Sequence, residues 1–206
     1  MATLTLQGTG VADTHLDSDE ANTAKAALTV LNMGQAGDIG RPLLKFDFSS
    51  IPAGSTITSA VLTLTYNGVD YSSNARVVSI YRVLQTSVVA QATWNSFSTG
   101  NTWDTAGCGN TTTDRESTDI GDGPTQSATP SDGGTVVITL TNSKVQDMIT
   151  GGSITNNGFL LKVATENTDQ VQYYSTNDAT EATRPKLVIE YTPAVAGDDT
   201  IGYFLF

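Results

Sequence analysis

Six side chains in this chain have the chemistry to hold a ligand: Arg41, Lys45, Arg82, Lys162, Trp94 and Trp103. A guanidinium presents a planar fork of donors that grips a carboxylate at two points, and an ammonium adds a mobile point charge. An indole ring offers a flat face that matches the apolar C–H face of a pyranose. Each has a plainer reading beside it: the cations as scattered solubilising charges, the tryptophans as anchors for long loops. Three carboxylates, Asp17, Asp19 and Glu20, stand close together. Calcium takes about six to eight oxygen ligands, so a structural Ca²⁺ is one expectation there. The spacing follows no defined calcium loop, and a solvated acidic loop is the plainer one. His15 is the only histidine and Cys108 the only cysteine. A lone imidazole without neighbouring ligands or a paired nucleophile reads as a packed ring rather than a metal ligand or catalytic base. There is no Gly-x-Ser-x-Gly elbow, no Cys–His pairing in a recognisable setting and no His-rich metal motif. The expectation is a non-enzyme with no required cofactor.

The elements that must position these residues are strands. Residues 41–67 read RPLLKFDFSSIPAGSTITSAVLTLTYN. Leu44, Phe46 and Phe48 alternate with Leu43, Lys45 and Asp47, and Ala60, Leu62, Leu64 and Tyr66 alternate with Val61, Thr63 and Thr65. Period-two alternation marks half-buried strands, here joined through Ile51-Pro52-Ala53-Gly54. Further strands are expected at residues 3–7, 11–15, 75–84, 135–141, 159–164, 171–175 and 183–191. Residues 24–33 mix helix formers with alternation. Asn67-Gly68 is a turn signal. Asn142-Ser143 reads as a helix start, with a short helix at 144–150 stopped by Gly151-Gly152. Lys45 lies opposite the Phe46 side of its strand, and Lys162 opposite Phe159, Leu161 and Val163. Both lysines project outward if those apolar faces are core. For Tyr81 and Arg82, which alternate, the core side stays open. Residues 85–134 form a long irregular stretch whose acidic part, 107–134, is rich in Gly, Thr, Ser and Asp.

With 206 residues the chain holds one good-sized core. Apolar residues make up 38% and charged residues only 15%, too apolar and too weakly charged for disorder. The net charge of −11 disfavours nucleic acid, whose phosphates need clustered Lys and Arg. With one cysteine, no intrachain disulfide forms. No apolar run reaches transmembrane length. The first residues, Met1-Ala2-Thr3-Leu4-Thr5-Leu6, lack a basic and apolar leader pattern, so either a leader was removed or the protein leaves its cell by another route, such as lysis.

RPLLKFDFSSIPAGSTITSAVLTL resembles the signature of the disaggregatase-related (DNRLRE) domain, a β-sandwich grouped with carbohydrate-binding modules. Further matches follow in order: Ala12-Asp13-Thr14 with His15 in the family's aromatic place, Thr93-Trp94-Asn95, Trp103, Asn156-Asn157-Gly158, and the closing Arg184-Pro185-Lys186-Leu187-Val188-Ile189-Glu190-Tyr191. The family's Trp and acidic residue before Thr93-Trp94-Asn95 are missing; residues 86–91 read TSVVAQ. The resemblance favours a strand at 27–32. It implies an all-β, jelly-roll-like antiparallel β-sandwich with one short helix and long loops, spanning 1–192 as one domain, with the resemblance over about 10–192.

The resemblance also implies polysaccharide binding, and some family members take anionic polysaccharides. On that reading Arg41, Lys45, Arg82 and Lys162 hold acidic sugars while Trp94 and Trp103 stack on rings. Residues 193–206 lie beyond the resemblance: a linker, then Ile201, Tyr203, Phe204, Leu205 and Phe206 as an apolar docking segment. It packs back on its own domain or on another chain by self-association or on a surface protein. Two settings follow. One is a non-catalytic module displayed on a phage virion as a decoration or appendage protein, with glycan-binding capacity. The alternative is a secreted, extracellular carbohydrate-binding module.

Overall fold

The computed structural model describes residues 1–34, 37–70, 76–125, 131–166 and 170–194. Among the described residues thirteen antiparallel strands carry the fold: β1 (Ala2–Gln7), β2 (Val11–Asp17), β3 (Val30–Gly34), β4 (Gly40–Phe46), β5 (Thr56–Asp70), β6 (Val78–Arg82), β7 (Ser96–Ser98), β8 (Asn101–Thr102), β9 (Gly121–Asp122), β10 (Thr135–Thr139), β11 (Phe159–Val163), β12 (Gln170–Tyr174) and β13 (Lys186–Thr192). Among the described residues the one α-helix is α1 (Asn142–Gln146). The expected all-β architecture with a single short helix is what forms.

One layer runs β1-β13-β5-β10 and the other β2-β4-β11-β6-β9. The long β5 links them. Its first half pairs with β13 and β10, and its far end pairs with β12, which passes to β3 and on to β4. This far end corrects the expectation of a turn at Asn67-Gly68. The strand continues through them, and the pairing steps from Tyr66↔Tyr173 to Asp70↔Val171 across an irregularity. Gly68 absorbs it with φ +77°, a conformation that side chains resist. Of the Asn-Gly pair only Gly68 takes positive φ, and here a bulge uses it in place of a turn.

Three smaller shifts occur. The strand expected at 27–32 is β3, three residues later at its start. Strand β6 is shorter than 75–84. The helix begins at Asn142, capped by the Thr141 backbone without a side-chain cap bond; the Asn142 amide instead donates to the Thr58 carbonyl at 2.7 Å.

Between the layers, Leu44, Phe46, Leu62, Leu64, Ile80, Ile138, Phe159, Leu161, Leu187 and Ile189 form the main core. A second apolar cluster lies on the opposite face of β4 and β11. There Leu16, Leu43, Val83 and Leu160 are covered by Val89, Ala92, Trp103 and Cys108 from the long 83–116 excursion. Strands β4 and β11 are therefore buried on both faces, the physical reason that Pro42-Leu43-Leu44 and Phe159-Leu160-Leu161 are unbroken apolar runs.

Candidate functional site

The excursion covers only part of the outer face of β4, β11 and β6. Beside it, strand alternation brings cations together. Leu160 pairs with Leu43 and with Tyr81, so one step along β11 sets Lys162 beside Ser79 on one flank and level with Arg41 on the other. Arg41 Nε and Nη2 donate to the two carboxylate oxygens of Glu166 at 2.7 and 2.8 Å. Lys162 Nζ lies 3.4 Å from the same carboxylate. The third arm of Arg41, Nη1, donates to the Gly107 carbonyl at 2.6 Å, and its guanidinium sits 4.8 Å above the Trp94 ring. Gly107 is required there: with φ +73°, any Cβ would lie 2.7 Å from Trp94 and 2.8 Å from Arg41.

Arg115 completes the group. It follows Asp114 at the end of the excursion, where it bridges to Val83, and its guanidinium stacks 4.3 Å above the Tyr81 ring. Nη1 donates to the Glu116 carbonyl at 3.0 Å, while Nε is buried without a partner. Asp114, fully buried, holds this loop by accepting backbone N–H bonds from Asp104, Thr105 and Asn110. Burial pushes the Lys162 pKa below its usual value, the Arg41 and Arg115 charges add to that, and Glu166 opposes them. Burial likewise drives the Cys108 thiol upward, so it stays protonated under the excursion. Arg41 and Lys162 thus share one carboxylate, with the Arg115 charge acting on Lys162 as well, in a chain whose net charge is −11.

The other sequence candidates lie elsewhere. Arg82 is on the core side of β6 and only 2% exposed. It donates to Asp147 at 3.0 Å and to the Lys144 carbonyl at 2.9 Å, and pairs with Glu116. It joins the end of α1 to the sandwich and has no surface to offer a ligand. Burial works against the Glu116 carboxylate, but Arg82 and Lys144 outweigh it and hold its pKa below the usual range. Trp103 is buried, donates Nε1 to the Thr93 carbonyl at 3.0 Å and meets Phe97 edge-on at 5.5 Å, which makes it a loop anchor. Trp94 is half-buried with one face taken by Arg41. Lys45 lines a separate groove on another flank. The apolar segment at Ile201, Tyr203, Phe204, Leu205 and Phe206 lies outside the described residues.

At the acidic loop, Asp17 accepts N–H bonds from Asp19 and Glu20, and Lys25 Nζ lies 3.3 Å from Asp17 and 2.8 Å from Glu20. Among the described residues no group of three or more His, Cys, Asp or Glu is arranged to hold a metal ion. His15 is 1% exposed with both ring nitrogens lacking a well-formed hydrogen bond, and burial pushes its pKa down to about 4.

A family model described as disaggregatase related repeat domain matches residues 13–189. The chain belongs to the disaggregatase-related repeat family. No curated protein matches it. In this repeat domain the matched segment takes in most of β2 through most of β13, so the Arg41–Lys162–Arg115 group, the second apolar cluster and all but Leu6 of the main core lie inside it. Family membership points to a surface or binding module. Among the described residues no helix is long and apolar enough to cross a membrane.

Sequence reasoning had Arg41 and Lys162 as members of one candidate site, together with Lys45, whose sheet relative to Lys162 was left open. It missed Glu166, Arg115 and Tyr81. Glu166 lies past the end of β11 in no recognisable motif. Arg115 sits in the irregular stretch, where alternation assigns no face.

Proposed function

We propose that this repeat domain is a non-catalytic module that binds an anionic polysaccharide across Arg41, Lys162 and Arg115. The observation that carries the reading is that two partly buried cations, Arg41 and Lys162, share a single carboxylate, Glu166, while the buried Arg115 adds a third positive charge acting on Lys162. Incompletely neutralised cations in a low-dielectric setting favour a second anion, and a guanidinium fork suits a uronate carboxylate or a sulfate. Trp94 holds Arg41 in place from beneath, and Tyr81 does the same for Arg115. The overall charge of −11 repels polyanions at long range, so binding is local to this face. No metal or cofactor enters the reading. Display on a virion or other surface is the setting proposed for it, with secretion as the alternative.

The test is binding of the full chain to polygalacturonate, alginate and heparin, with dextran as the neutral control, by affinity electrophoresis and calorimetry. Binding to at least one acidic polymer is expected, weakening as salt rises. The paired substitution Arg41→Ala/Lys162→Ala should weaken it by about tenfold or more, as loss of one charge-assisted contact commonly does. Absence of binding to every acidic polymer, equal binding to dextran, or an unchanged paired variant overturns the reading.

A further inference from the structure

The outer face of the β1-β13-β5-β10 layer lies across the sandwich from the Arg41–Lys162 group. Strand register sets its side chains in rows. Thr5, Val188, Val61 and Thr139 form a central row across all four strands. Gln7, Lys186, Thr63 and Val137 flank it on one side, and Thr3, Glu190 and Ser59 on the other. Thr3, Thr5 and Thr139 are exposed, and Val137 is 51% exposed. Lys186 and Glu190 are the charged members of these rows, so the face has no net charge in a chain of −11. Neither makes an ion pair or a side-chain hydrogen bond among the described residues. Four residues apart on one extended strand, they stand about 14 Å from each other, too far to pair.

Copies of a strongly acidic chain repel one another, and least where a face carries no net charge. A second copy also fits this face by symmetry. A two-fold axis lying along the central row turns the strands antiparallel across the contact. It sets Val188 and Val61 each against its own counterpart, and Lys186 against the Glu190 of the other copy, twice. An axis along the strands would instead oppose like charges or leave both facing Thr63 and Ser59.

We propose that this face joins two copies of the chain in a two-fold dimer, held by two Lys186–Glu190 pairs around a centre of Val and Thr. Sheets stacked in this way lie about 10 Å apart, within reach of facing Lys and Glu side chains. Four strands of six residues offer roughly 400 Å² of face per copy, about half of a standard interface, so the dimer is weak and reversible. Both Arg41–Lys162 faces then point outward. The inference uses other residues than the polysaccharide reading and survives its failure.

Sedimentation equilibrium on the full chain, from about 10 μM to about 1 mM, tests it; a reversible dimer with a Kd below about 1 mM is expected. Lys186→Glu and Glu190→Lys should each weaken it about tenfold or more, because each variant puts like charges opposite one another at both pairs. The two substitutions move the net charge in opposite directions, so a general repulsion would move the two Kd values apart. Lys186→Glu/Glu190→Lys keeps the net charge and restores the pairs, and its Kd should return to within about threefold of the unaltered chain. Thr139→Asp, at an exposed position on the axis, should also weaken the dimer and keeps the test valid should a β13 variant fail to fold. A protein that stays monomeric to about 1 mM overturns the proposal. So do single variants that shift the Kd in opposite directions, and a double variant that fails to recover. A dimer that none of the variants alters forms through another surface and overturns it equally.

Discussion

His15→Phe should remove an acid sensitivity from this fold. The imidazole is 1% exposed and its pKa falls from 6.5 to about 4 because burial disfavours the charged form; the nearby Asp17 charge opposes this only in part. Below pH 6.5 the unfolded chain takes up a proton that the folded chain refuses. Stability therefore falls as pH falls, from the unfolded pKa down to the folded one. Linkage puts the loss from this residue at about 1.4 kcal/mol by about pH 5.5 and roughly 2.5 kcal/mol by about pH 4.5. Other groups titrate nearby: Asp13, whose pKa burial raises, and Glu116, Asp17 and Asp47, whose pKa values are lowered. Comparing the variant with the unaltered chain at each pH isolates the imidazole. Phenylalanine keeps a ring of similar size and has no nitrogens to leave unpaired. Urea unfolding at about pH 7.5, 5.5 and 4.5 should show the variant gaining roughly 2.5 kcal/mol on the unaltered chain across that range. A difference that stays flat with pH would falsify the burial argument.

Arg82→Ala should cost about 3–5 kcal/mol, because it strands the Glu116 and Asp147 carboxylates around a buried void; urea unfolding at neutral pH measures it, and a loss under about 1 kcal/mol contradicts the reading of Arg82 as the tie between α1 and the sandwich. Glu166→Gln should tighten binding of an acidic polysaccharide by roughly tenfold, since the Arg41 fork no longer holds a competing carboxylate. Weaker binding in calorimetry would mean instead that Glu166 orients the cations for the ligand. Adding EDTA should leave the melting temperature within about 1 °C, because Lys25 already neutralises Asp17 and Glu20. A drop of several degrees, restored by Ca²⁺, would establish a calcium site at the acidic loop.

Much of the fold was legible along the chain because a strand writes its two faces into successive residues. Leu44, Phe46, Leu62, Leu64, Phe159 and Leu161 were visible as core from alternation, and Lys162 as outward-facing. Where both faces are buried, as at Leu43 and Leu160, alternation fails, and the second cluster beneath residues 83–116 left no local signature. The same limit left Arg82 ambiguous: its strand carries apolar residues on both faces, and only packing, with Val78 and Ile80 in the core and Arg82 against the end of α1, made its side the inner one.

The sequence alone determined the strand content, the family and the charge balance, because these depend on residues near one another or on totals. Tertiary structure decided which cations meet. Arg41, Arg115 and Lys162 come from three distant stretches, and their grouping depends on the β4–β11–β6 register and on Asp114 fastening the excursion beside it. Register is a property of paired strands, and a single strand read in isolation does not contain it.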